Sequence, residues 1–421
     1  MNAPAFSYPA ELVGHVLARW PAEIATPDAS FLGSVLETAY HASFLRDEER
    51  PVTFRLLLAP PEALDDRDGP PWGLHRMRFD HPRAFDPHEL RRLAPAVKFH
   101  RALIGVSPGA GGLPEVWGFA QSGPRWLQAA WGGRANDVPM PAAPVVRVAR
   151  PGQVAIACGA LPIAELANGV LVDLALDVFH SDWLAARFAP IRGELAAVLA
   201  AEAAGPPVAP ELLRTLAQQM LRRVIATIRS THHGGTLLIV PNECATRLGR
   251  ERVLELKYSF ADEAPRRRYR AVLLTILREL TRVARETGSP KADWELYRSL
   301  PTAEITDLDE ALFELSATLA AMADVDGAVV VNKHFEVLGF GAEIGGDLPH
   351  VDHVARALDL EGRERITERV DAMGTRHRSV YRLCARFHEA LAIVVSQDGG
   401  VRFVAHHDGA VTYWDHGTGS D

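Results

Sequence analysis

Gly374-Thr375-Arg376-His377-Arg378, running on into Ser379 to His388, is the stretch on which the fold of this chain turns. Val380, Leu383, Cys384 and Phe387 recur at i, i+3, i+4 and i+7, one apolar helix face, so Ser379 to His388 is predicted helical with Gly374 and Thr375 at its start. A helix start presents unpaired N–H groups and the positive end of the macrodipole. Two arginines, a histidine and a threonine hydroxyl crowd that same turn, which is the make-up of a phosphate site. The residues before it, Glu361 to Met373, read as another helix. Fifty positions before Arg376 stands Asp326, in Asp326-Gly327-Ala328.

Asp326 falls at a junction. A helix with Leu308, Leu312, Leu315, Leu319 and Met322 as its apolar stripe ends at Asp324-Val325, and the strand Ala328 to Val331 follows. Asp307-Leu308-Asp309-Glu310 has the pattern of a capping box and is predicted to open that helix. A hairpin through Asn332-Lys333-His334 returns as Phe335 to Phe340. Ala392 to Ser396, Val401 to His406 and Ala410 to Trp414 read as strands, joined through Gln397-Asp398-Gly399-Gly400 and Asp408-Gly409. Upstream, Glu211 to Ser230 forms a helix with Leu213, Leu216, Met220, Val224 and Ile228 on one face, leading to the strand Thr236 to Val240. The adjacent His232 and His233 point to opposite sides of an extended segment, which disfavours a shared metal. Arg266-Arg267-Arg268-Tyr269-Arg270 opens a helix through Leu280, and a solvated helix face is preferred there over nucleotide or nucleic-acid contact. A mixed sheet flanked by helices is the simplest assembly of these elements.

Asp326-Gly327-Ala328, then Gly374-Thr375-Arg376-His377-Arg378, then a buried strand ending in Ser396 together resemble the diadenylate cyclase (DAC) domain. The resemblance reaches back to His232 to Val240 and covers roughly residues 230 to 416. It implies a nucleotide site: Asp326 catalytic and a ligand for Mg²⁺ or Mn²⁺, with Asp398 as a second metal contact. Gly327, Ala328, Gly374, Thr375, Arg376, His377, Arg378 and Ser396 would bind the nucleotide. It further implies two ATP held by two facing copies and condensed to cyclic di-AMP and pyrophosphate, so a homodimer or higher homo-oligomer is expected. Gln397 and Asp398 stand where the membrane-type cyclases have two glutamates. Gly339-Phe340-Gly341-Ala342-Glu343-Ile344 resembles the DACNV branch, often regarded as sensor domains, and a nucleotide sensor without turnover is the alternative expectation. Taken singly, Asp326 is an ordinary turn residue and the two arginines a solvated helix start; the argument rests on their occurring together.

With 421 residues and 48% hydrophobic content, the chain has material for two or three domains. A net charge of −8 argues against a general nucleic-acid surface. Cys158, Cys244 and Cys384 form no CxxC pair, so neither a zinc site nor a disulfide framework is indicated. No apolar run approaches the roughly 20 residues of a membrane helix. The start MNAPAFSYPAEL lacks a signal-like pattern, and a cytoplasmic protein without membrane partners is expected.

The first half reads as a separate α+β domain, residues 1–204, regulatory or sensory, with the DAC-like domain over 205–421. Pro9 to Arg19 and Phe31 to Leu45 are predicted helices, the second burying Phe31, Val35, Leu36, Ala39 and Phe44. Strands are expected at Thr53 to Leu58, Leu103 to Val106, Glu115 to Ala120, Val145 to Ala149, Val154 to Cys158 and Val170 to Leu174, in an antiparallel sheet. Ser107-Pro108-Gly109-Ala110-Gly111-Gly112-Leu113-Pro114 joins strand to strand, so a hairpin connection is preferred to a phosphate loop. A proline-rich acidic loop runs from Ala59 to Pro71. Ser181 to Glu202 reads as an Ala-rich helix, and Gly205-Pro206-Pro207 after it as the domain boundary.

Overall fold

Runs of β-branched and aliphatic residues assemble into two large mixed sheets in the computed structural model, each flanked by helices. It describes residues 6–64, 74–99, 101–122, 134, 140–167, 169–173, 176–202, 205–231, 233–241, 251–300, 303–371, 373–397 and 399–417. His232, Cys244 and Asp398 lie outside the described residues. Two compact units divide the chain: Met1–Ala130, Ala135–Ala175 and Gly417–Asp421 form the first, and Trp131–Arg134 and Leu176–His416 the second. The division falls near residue 176, not 204. The Ala-rich segment belongs to the second unit because Trp183, Leu184, Leu195 and Leu199 are buried in that unit's core beside Leu212, Leu213 and Leu216.

In the first unit, helices α1 (Pro9–Leu17) and α2 (Ala29–Ser43) are followed by the short ladder of β1 (Arg46–Asp47) with β2 (Arg50–Pro51). Then come β3 (Phe54–Leu58), β4 (Leu74–Ala84), α3 (Pro87–Leu93), β5 (Ala102–Pro108), β6 (Pro114–Ser122), β7 (Pro144–Arg150), β8 (Gln153–Cys158), β9 (Leu161–Ala167) and β10 (Val170–Asp173). The sheet order is β10-β9-β8-β7-β3-β5-β6-β4. The expected purely antiparallel sheet is corrected: β3 and β5 pair parallel, Leu56 opposite Ile104. β4 and β9 escaped the sequence reading. β4 carries mostly exposed residues and so lacks an apolar signature. Asp28 caps α2 by accepting from Phe31 N at 2.8 Å. Leu32, Val35, Leu36 and Ala39 of α2 pack with Leu12, Val16, Phe54, Leu56, Val146 and Val154. Phe44, expected in the core, lies just past α2 and is exposed. The Gly-rich connection joins β5 to β6 as an antiparallel hairpin, as its strand-to-strand context indicates.

The second unit starts with α4 (Asp182–Arg187) and α5 (Ala189–Ala201), one predicted helix divided at Phe188. It continues through α6 (Pro210–Thr231), β11 (Gly235–Val240), β12 (Leu254–Ser259), α7 (Glu263–Arg266), α8 (Arg268–Thr287), α9 (Trp294–Ser299) and α10 (Ala303–Ala323). The last part comprises β13 (Ala328–Asn332), β14 (Val337–Ile344), β15 (His353–Ala357), β16 (Arg365–Arg369), α11 (Thr375–Arg386), β17 (Leu391–Val395), β18 (Val401–His407) and β19 (Ala410–Asp415). The sheet runs β12-β14-β13-β11-β17-β18-β19-β15-β16. Its central strands are apolar on both faces because each face is covered. Leu237, Ile239, Val329, Val331, Ile393 and Val395 join the core that includes α6, α8 and α10. Leu238, Val240, Val330, Ala392 and Val394 face the opposite core, which holds Val380, Leu383, Cys384 and Phe387 from α11 and its end. Fully burying each such aliphatic side chain contributes about 1.5–3 kcal/mol.

Two expected features are corrected here. Glu361 to Met373 is not helical: its middle is β16, paired antiparallel to β15, with Gly362 at φ +64° in the turn between them. Strand pairing there overrides the helix preference of Glu and Arg. Asp307 does not open a helix, since α10 begins at Ala303 and Asp307 lies inside it.

Candidate functional site

Three neighbouring strands bring the motifs to one end of the second sheet. β11 and β13 are parallel with Leu237 opposite Val329, and β11 and β17 antiparallel with Gly235 opposite Val395. Gly234 and Ser396 follow directly on the paired Gly235 and Val395, while Asp326 stands two residues ahead of β13. In the sheet order the segment before β11 lies between the start of β13 and the exit of β17.

The glycines let backbone and Arg376 pack closely there. Gly234 has φ +67°, and a Cβ there would stand 2.6 Å from Val395 O, 3.0 Å from Arg376 Nη1 and 3.0 Å from Gln397 N. The Arg376 guanidinium therefore lies directly over Gly234, beside the Ser396 turn. Gly327 has φ +118°, and a Cβ would come within 2.5 Å of Gly341 C. Only glycine lets β13 start against β14 there. Ala328 follows as a buried strand residue. Ser396 closes the turn after β17: its N–H donates to Gly400 O at 2.9 Å and its hydroxyl to the same oxygen at 3.1 Å. Arg229 Nε donates to Gly399 O at 2.9 Å and ties that turn to α6.

α11 begins as its sequence predicts. Gly374 is the N-cap, extended at φ −62°, ψ 157°, and no side chain caps the first turn. Thr375 and Arg378 are exposed, Arg376 and His377 half-buried. Arg378 Nη2 donates to Thr375 Oγ1 at 3.4 Å. The His377 ring lies 6.2 Å from that of Tyr381, whose hydroxyl burial pushes up to about 12. Arg382 fixes the helix by donating to Leu348 O at 2.8 Å and Pro349 O at 3.2 Å, in the loop that leaves β14.

Asp326 is exposed, two residues ahead of β13. Its charge acts on Lys257 of β12, whose ammonium is held above its ordinary pKa mainly by its hydrogen bond to Glu343 at 2.7 Å and further by Asp326. Gly234, Lys257 and Gly341 stand at this end of the sheet although the sequence did not single them out as site residues. The Gly234-Gly235 pair ahead of an apolar strand was the available signal. Arg266 and Arg267, weighed as phosphate contacts, are instead paired with Glu336 at 3.0 and 3.5 Å. Among the described residues no cluster of three or more His, Cys, Asp or Glu could hold a metal. One carboxylate at Asp326 suits only a hard cation that arrives with phosphate oxygens as its other ligands.

Fold and site together define an α+β chain with a cationic, glycine-floored rim beside a helix N-terminus. Residues 22–121 match the family model described as "Probable sensor domain DACNV". That match lies in the first unit, so the sensor branch is supported by the N-terminal half; Gly339 to Ile344, which suggested it in the sequence, is outside the matched residues. No curated protein matches the chain. Among solved structures, a hypothetical membrane spanning protein from Bacillus cereus matches at 17% identity over 47% of this chain, with a TM-score of 0.23. The match spans 62% of that protein's length, and a likeness of this degree carries no argument about fold or function. No helix among the described residues is long and apolar enough to cross a membrane.

Proposed function

We propose that the second unit binds ATP at this rim and condenses two ATP to cyclic di-AMP, with the first unit as its sensor. The observation that carries the reading is the close approach of the Arg376 guanidinium, at the start of α11, to Gly234 beside the Ser396 turn. Arg376 and Arg378 hold phosphate oxygens through charge-assisted hydrogen bonds, and Thr375 with the first-turn N–H groups adds neutral donors. His377 supplies one further donor. A 3′-oxygen of one ATP attacks the α-phosphorus of the other, pyrophosphate leaves, and the reciprocal attack closes the ring. Mg²⁺ or Mn²⁺ carried by the triphosphate and held at Asp326 would acidify that hydroxyl. Two sites facing each other in a homodimer complete the reaction.

Nucleotide sensing without turnover is the second reading. The DACNV match favours it, as does Gln397 in place of a glutamate. Incubating the full chain with ATP and Mn²⁺ and following cyclic di-AMP by mass spectrometry separates the two. Product that vanishes in Asp326→Asn supports the cyclase; ATP binding without product supports the sensor. Arg376→Ala with Arg378→Ala removes contacts worth roughly 1.5–3 kcal/mol each, so calorimetric ATP affinity falls by at least tenfold. Unchanged affinity in that double variant defeats both readings.

A further inference from the structure

Away from Gly234 and Arg376, the second unit has a half-open apolar pocket of about 60 Å³, bounded by α4, α5, α6, α8 and the tip of the β13–β14 hairpin. Leu184, Phe188, Leu213, Leu273 and Phe335 form its walls. Four basic side chains line the same space: Arg192, Arg214, Arg270 and Lys333. Arg192 Nη2 donates to Ala185 O at 2.9 Å and Arg214 Nη2 to Phe179 O at 3.1 Å, so backbone carbonyls hold both guanidiniums in place. Among the described residues no carboxylate pairs with any of the four, and the nearby Glu194 is taken by His334 at 2.8 Å. Burial, and then the charge of Arg214, hold the Arg192 guanidinium below its ordinary pKa. The lining also carries an acceptor. Gln218 donates through Nε2 to Phe179 O at 2.5 Å, which leaves its Oε1 to accept from another N–H.

Size and chemistry together select the occupant. An apolar cavity of about 150 Å³ takes a free benzene molecule, so a half-open space well below that does not enclose a ligand of its own. It does accept the end of one branched apolar side chain entering from solvent, and burying such a side chain contributes about 1.5–3 kcal/mol, as an interface anchor does. Four cations without carboxylates around that point call for acidic residues on either side of the anchor. A free carboxylate offers acceptors alone, whereas a polypeptide also brings the backbone N–H that Gln218 Oε1 lacks. We propose that this pocket docks an acidic segment of a partner protein, with one leucine side chain seated against Phe188, Leu213 and Phe335. Carboxylates flanking that leucine pair with Arg192, Arg214, Arg270 and Lys333, and a backbone N–H of the segment donates to Gln218 Oε1.

The test uses the full chain and a fluorescein-labelled peptide with a central leucine between runs of aspartate, followed by anisotropy. Saturable binding at one peptide per chain is expected, weakened by salt. Replacing the peptide's leucine with serine, or its aspartates with asparagines, should each weaken binding at least tenfold. Ala217→Trp, which fills the pocket from α6, should do the same, and Arg192→Glu with Lys333→Glu should abolish binding, both at the parent's thermal unfolding midpoint. The altered peptides are read on the parent chain and so decide the matter even where a variant unfolds early. Absence of saturable binding, equal affinity for polyaspartate of the same length, or parent affinity in the folded Ala217→Trp chain overturns the proposal. So does displacement by isovalerate, a free acid with the branched end of leucine, at the peptide's own concentration. Self-association of the chain that Arg192→Glu with Lys333→Glu removes would assign the pocket to a second copy and likewise overturn it.

Discussion

His416 is a histidine kept neutral by its surroundings. Its Nδ1 accepts from Val178 N at 3.2 Å, and burial lowers its pKa to about 3, against the pull of Asp177 and together with Arg222, Arg229 and His180. Unfolded, the ring titrates near 6.5, so between pH 6.5 and 3 the unfolded chain binds a proton that the folded chain refuses. Its contribution to stability is complete above pH 6.5 and is lost as pH falls toward 3. Urea unfolding should therefore give a stability that falls with pH through this window, and His416→Gln should reduce the slope by up to about 1.36 kcal/mol per pH unit. Identical slopes in parent and variant would refute the assignment. Asp309 gives the opposite lesson about single residues. The sequence reads it as part of a capping box, yet it is buried and accepts from Arg223 Nη2 at 2.7 Å and Tyr297 Oη at 3.0 Å. Its partners lie on α6 and α9, at sequence distances that no local pattern encodes.

Elements whose apolar residues all face one partner were legible. α11 stands where its spacing put it, because a covered face leaves its period in the sequence, and β11, β13 and β17 show as short unbroken apolar runs because both their faces are covered. The approach of Arg376 to Gly234 left no local trace in the sequence, because it depends on how α11 packs against the sheet. β16 was not legible: it lies at a sheet edge, three of its five residues are exposed, and its Glu and Arg content favours helix. The joint at the start of β13 depends on one residue without a Cβ. Gly327→Ala would meet Gly341 C at 2.5 Å and sit at φ +118°, so a loss of about 1–3 kcal/mol is expected from the backbone alone. Chemical denaturation of that variant measures it, and a parent-like midpoint would mean that β13 can start elsewhere.

Each unit has its own hydrophobic clusters, with Leu36 and Leu56 in the first and Leu277 and Ile393 in the second belonging to separate cores. Multi-unit chains of this kind depart from two-state unfolding. Calorimetry of the full chain should resolve two transitions, of which ATP at about 100 times its Kd raises one by an equivalent of about 2.7 kcal/mol. Arg376→Ala should remove that shift and leave the other transition where it was. A single transition moving as a whole would contradict this division. The boundary itself was misplaced in the sequence because Gly205-Pro206-Pro207 ends a helix wherever it stands, whereas membership of a core depends on where Trp183 and Leu195 point.

The second sheet ends at β12 on one side and β16 on the other, and these outer strands carry Glu255 and Lys257, and Arg365, Glu368 and Arg369. An unpaired strand edge is where another chain adds most readily, and charged side chains there oppose the addition. Two copies of this chain are thereby steered away from joining their sheets into one continuous ladder. A pairing that set two of the proposed nucleotide sites opposite each other would be made from turns and helix ends instead, among them those of Gly234 and Thr375.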